Sequence, residues 1–106
     1  MGASNYSNQI SARTAAEGFQ ALVHEARHAH GSGGYTGTIA EARGFKMVAL
    51  REGESLAACE DRVLDAAGDN DRAPGAKWGA AACVDLGPDA AAPGQHRFAF
   101  FGWAAC

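Results

Sequence analysis

The string His24-Glu25-Ala26-Arg27-His28 is the most suggestive chemistry in this chain. On a helix the HExxH spacing stacks two imidazoles one turn apart, where they can hold zinc. The intervening glutamate then polarises a metal-bound water. Read that way, His24 and His28 are metal ligands, Glu25 is the general base, zinc is the cofactor and the protein is a minimal hydrolase. Three physical points weigh against it. At 100° per residue, His24 and His28 fall about 140° and 180° from Phe19, which lies on the apolar stripe, so a solvated face accounts for them. A catalytic zinc also needs a third protein ligand, and Gly34 stands where an extended HExxHxxGxxH motif would place it. Glu41, Glu52, Glu54 and His96 remain as candidates, none of them in a recognisable second motif. Finally, so short a chain has little left with which to wall a catalytic cleft.

A glycine-rich loop follows at once, Gly31-Ser32-Gly33-Gly34-Tyr35-Thr36-Gly37-Thr38. It leaves a helix C-terminus rather than opening a helix, so it lacks the amide-rich geometry of a phosphate loop. As a binding loop it offers an aromatic face and hydroxyls through Tyr35, Thr36 and Thr38, and these carry the expected ligand or partner contact. Asp69-Asn70-Asp71 has calcium-loop composition without the glycine and terminal glutamate of such loops, and reads as a turn.

The elements that must position these groups follow from periodicity. Residues 4–12 alternate loosely and predict a first strand. Thr14 and Glu17 have capping-box spacing, opening a helix whose apolar residues Phe19, Leu22, Val23 and Ala26 form one stripe as far as His30. His30 rotates back towards that stripe. Thr38, Ile39 and Ala40 start a short strand, and residues 45–50, apolar on both parities, predict a central one. A second helix spans residues 55–67, with Leu56, Cys59, Val63 and Ala67 on one side. Residues 78–86 and 96–104 form a hairpin across the turn at 87–94, setting small alanines against Phe98, Phe100 and Phe101. The expected fold is a single α+β domain over 1–106: a mainly antiparallel sheet of four to five strands with two helices packed on one face.

Composition sets further bounds. The chain has 106 residues, 47% of them hydrophobic, and a formal charge of −3, which suits one modest core and gives no sign of nucleic-acid binding. There is no run of 18 apolar residues and no signal-peptide pattern, so neither a membrane span nor secretion is expected. Cys59, Cys83 and Cys106 are odd in number and widely spaced, which fits packed thiols in a reducing compartment. A bridge such as Cys83 with Cys106 is the alternative in an oxidising one.

Four short strings carry a resemblance: the opening Met1-Gly2-Ala3, the helix end His30-Gly31, Gly34-Tyr35-Thr36-Gly37-Thr38-Ile39, and Phe101-Gly102-Trp103-Ala104. Together they resemble a group of small uncharacterised phage and prophage proteins. The GYTGTI-like string is the usual mark of that group, whose members need not carry HExxH. The resemblance implies a phage gene acting in the bacterial cytoplasm and brings no activity with it. The expectation is a non-enzymatic binding module that engages a host protein or sequesters a small-molecule ligand, with an anti-defence role as the natural setting. Self-association through the last, aromatic strand is a further expectation.

Overall fold

The computed structural model describes residues 3–30, 39, 42–68, 72–76 and 79–105. Their order is β1 (Ala3–Ala12), α1 (Ala15–His30), β2 (Phe45–Met47), α2 (Leu56–Gly68), β3 (Ala81–Pro88) and β4 (His96–Ala105). The fold is α+β, as the periodicities predict. The four strands form one sheet in the order β1-β4-β3-β2. β4 is antiparallel to both β1 and β3, and β2 runs parallel to β3.

Local signals set the helix starts. The Glu17 amide donates to Thr14 Oγ1 at 3.2 Å, and the Ala58 amide donates to Ser55 Oγ at 3.1 Å. Each bond satisfies a donor that the first helical turn would otherwise leave open. The β3–β4 turn is closed by its own backbone. The Asp89 amide donates to the Gln95 carbonyl, and Asp89 Oδ1 accepts from the Ala91 amide.

The core is split by the sheet. On one face Phe98, Phe100, Cys83 and Tyr6 pack under α1 through Phe19, Leu22, Val23 and Ala26. Phe19, Phe45 and Phe100 make a triangle of rings with centroids 5.5–5.9 Å apart, tying helix α1 to an edge and a centre of the sheet. On the other face Ala82, Val84, Ala99 and Phe101 pack against Cys59 and Val63 of α2. Phe100 and Phe101 are completely buried, and each contributes about 1.5–3 kcal/mol by leaving water.

Placing both helices on one face is therefore corrected: the sheet has one helix on each side. The topology explains why. β1 to β2 crosses the whole sheet in one direction through α1, and β2 to β3 steps back the other way through α2. Parallel crossovers of a single hand running in opposite directions must use opposite faces.

Two strand expectations are also corrected, and a third falls mostly outside the described residues. Residues 45–50 do not form a central strand: β2 is three residues long and lies at the edge, with Met47 53% and Leu50 37% exposed. Its two parities are apolar because Phe45 packs into one core and Val48 into the other. Of the short strand expected at Thr38, Ile39 and Ala40, Thr38 and Ala40 lie outside the described residues, and the Ile39 carbonyl accepts from the Ala42 amide at 2.9 Å. The last strand, β4, is central and paired on both sides, so it presents no free edge for self-association.

At the far end of β4 the chain closes tightly. Gly75, at φ 83°, extends the pairing beyond the start of β3 by accepting from the Trp103 amide at 2.7 Å. The Trp103 indole N–H donates to the Leu64 carbonyl of α2 at 2.9 Å.

Candidate functional site

Helix α1 sorts its polar residues by rotation. Phe19, Leu22, Val23 and Ala26 turn to the core, leaving His24, Glu25 and His28 exposed. Both histidines lie on the solvent side, as the angular argument expects. Among the described residues no group of three His, Cys, Asp or Glu side chains is placed to hold a metal. The third-ligand candidates are dispersed. Glu54 receives two N–H bonds at 2.9 Å from Arg62, His96 faces Asp85, and Glu52 is exposed between β2 and α2. Glu41 lies outside the described residues, as do Tyr35, Thr36 and Thr38.

Beside α1 the structure contains an open groove of about 490 Å³. One wall is the stripe Leu22, Glu25, Ala26 and Ala29, spaced i, i+3, i+4, i+7 along the helix. The other is Tyr6, Ser7, Asn8 and Gln9 of β1. Ile39, 1% exposed, is the most buried lining residue. Close packing of α1 on the sheet positions this wall. Gly18 is buried, and a Cβ there would lie 3.1 Å from Ile10 Cγ2 and 3.5 Å from both Ala12 and Phe100. A glycine one turn before Leu22 thus lets the helix sit low over β1.

Two properties make the groove more than a surface irregularity. β1 is an edge strand, paired with β4 on one side and with no strand on the other among the described residues. Its ten residues, ASNYSNQISA, carry no charge, no proline and no lysine, the usual guards of a strand edge. The opposite edge, β2, is short and carries Lys46, whose ammonium donates to the Arg72 carbonyl at 2.9 Å. Tyr6 contributes a neutral phenol, its pKa pushed up by burial.

A second polar constellation sits at the β3–β4 turn. His96 Nδ1 lies 3.0 Å and 3.1 Å from the two Asp85 carboxylate oxygens, and its ring stacks on Phe98. The His96 hydrogen bond, then the Gly87 amide, hold the Asp85 carboxyl below its ordinary range. Ser11, next to the position paired with His96, invites comparison with a Ser-His-Asp site. The alternation of β1 and β4 forbids it. Ser11 and Arg97 share one face, where the Ser11 hydroxyl donates to Asp89 and accepts from Arg97, whereas His96 and Asp85 point to the other.

Sequence reasoning missed the groove. The signal available was the uncharged run at the chain's start beside a helix with alanines at 26 and 29, and it reads equally as a solvated strand. No protein-family model, curated protein or solved structure matches the chain.

Proposed function

We propose that this is a non-enzymatic binding module that engages a host protein through the groove between β1 and α1. The single observation that carries the reading is the pairing of that groove with an unguarded strand edge. An edge strand offers main-chain donors and acceptors, and an adjoining groove offers side-chain pockets, which is how many peptide-recognition domains combine affinity with specificity. A groove open to solvent suits a protein segment better than the enclosed capture of a small ligand. Tyr35, Thr36 and Thr38 lie in the sequence between the two groove residues Ala29 and Ile39, and we keep them as candidate contacts of the same partner. The resemblance to small phage and prophage proteins supports a setting in the bacterial cytoplasm and interference with a host defence.

The test is parallel affinity purification from bacterial extract with the wild type, Ala29→Arg and Asp61→Arg. Ala29 lines the groove and is exposed, so an arginine there fills the groove without entering the core; Asp61 is an exposed residue of α2. One host protein recovered by the wild type and by Asp61→Arg, and lost with Ala29→Arg, is the expected result. Equal recovery by all three contradicts the assignment of the groove.

A further inference from the structure

Resting on that reading, we infer that the groove takes an extended segment of the partner as a fifth strand beside β1, with a lysine or arginine of that segment set against Glu25.

The geometry of addition comes from β1. An incoming strand that pairs with the backbone of Ser7, Asn8 and Gln9 turns every second side chain towards α1. There it meets Leu22, the small side chains of Ala26 and Ala29, which leave room for apolar groups, and one carboxylate, Glu25. The intervening side chains face the other side of the sheet, where the Ser7 hydroxyl donates to Glu60 of α2 at 2.6 Å.

The charge preference comes from what β1 and α1 lack. β1 has no side chain charged at neutral pH, and Glu25 is the only such side chain among the described lining residues. Its carboxylate forms no ion pair or hydrogen bond among the described residues. A basic side chain arriving beside it gains a charge-assisted bond, while an acidic one is repelled. The same carboxylate argues against a second copy as the occupant. A two-fold pairing of β1 with β1 centred on this segment brings two Glu25 carboxylates into one shared groove with no cation among its described lining residues.

The probe is a random dodecapeptide library selected by mRNA display against the wild-type protein. Enriched peptides are expected to carry a lysine or arginine at a fixed position, with apolar residues two positions to either side. Glu25→Gln is expected to weaken the selected peptides about tenfold, and Glu25→Lys to re-select acidic ones. Backbone N-methylation of the peptide is expected to weaken binding at alternate residues only, because only alternate amides face β1. Peptides that bind, are blocked by Ala29→Arg and tolerate N-methylation everywhere overturn strand addition and leave the groove reading standing. Peptides indifferent to both Glu25 variants overturn the charge preference. Peptides insensitive to Ala29→Arg overturn the groove reading itself. No enrichment, the outcome if residues 31–38 of the chain occupy the groove, overturns the proposal. So does a dimer in sedimentation equilibrium that Ala29→Arg dissociates.

Discussion

Glu25 of α1 and Ser7 of β1 stand on opposite walls of one groove. The helix wall supplies a carboxylate and apolar side chains, and the strand wall supplies uncharged polar residues and an edge with no partner strand among the described residues. The relationship depends on how closely α1 and the strands approach one another, and the stability of the sheet around Tyr6 is what maintains it.

Gly102 is the most crowded of the described glycines. A Cβ there would lie 2.8 Å from Tyr6 Oη and 3.0 Å from both Cα and the carbonyl oxygen of Gly75. Two of those three atoms are backbone and cannot swing away. Gly102→Ala is expected to destabilise the fold by about 1–3 kcal/mol. Urea denaturation checks it, through a lower midpoint at unchanged slope.

Acid sensitivity should trace to Glu54. Its carboxyl is lowered from 4.5 to about 2, first by the Arg62 side chain and then by the Arg51 amide. A folded-state pKa below the unfolded one gives stabilisation that is complete above pH 4.5 and lost as pH falls towards 2. Arg62→Ala removes the largest cause, so Glu54 should titrate closer to its ordinary range. Carboxyl carbon shifts followed by NMR through an acid titration measure this directly.

Much of the fold was legible because the signals were local. The stripe from Phe19 to Ala26, the Thr14 cap and the series Cys59, Val63, Ala67 each need only their own helix, and each is where the structure has it. Strand order is a different kind of fact. Nothing near residues 45–50 says that β3 rather than solvent lies on one side only, and apolar residues on both parities fit a central strand as well as an edge strand feeding two cores. The groove was illegible for the same reason: its walls, residues 6–9 and 22–29, are 13 to 23 residues apart in sequence, and Ile39 joins them only after the fold forms.

The two described thiols should be inert in the native protein. Cys59 and Cys83 are fully buried in different cores on opposite faces of the sheet, so they cannot pair with each other. Burial raises Cys59 and pushes Cys83 up to about 12, which suppresses the reactive thiolate. In a Cys106→Ser variant, reaction with Ellman's reagent at pH 8 is expected to follow the unfolding rate. Rapid reaction without denaturant contradicts this packing.

The histidine string has its own test. His24 and His28 lie outside the groove lining, so the double variant His24→Ala/His28→Ala is expected to bind partner as the wild type does. Stoichiometric zinc in untagged wild-type protein, absent from the double variant, would return the hydrolase reading to the front.

The central claim concerns the edge of β1, and amide hydrogen exchange there tests it most directly. With a selected peptide bound, exchange read residue by residue by NMR should slow at alternate amides within Ser7, Asn8 and Gln9, the ones that turn outwards to an added strand. Protection confined to other parts of the molecule, with β1 exchanging as in the free protein, would contradict the account.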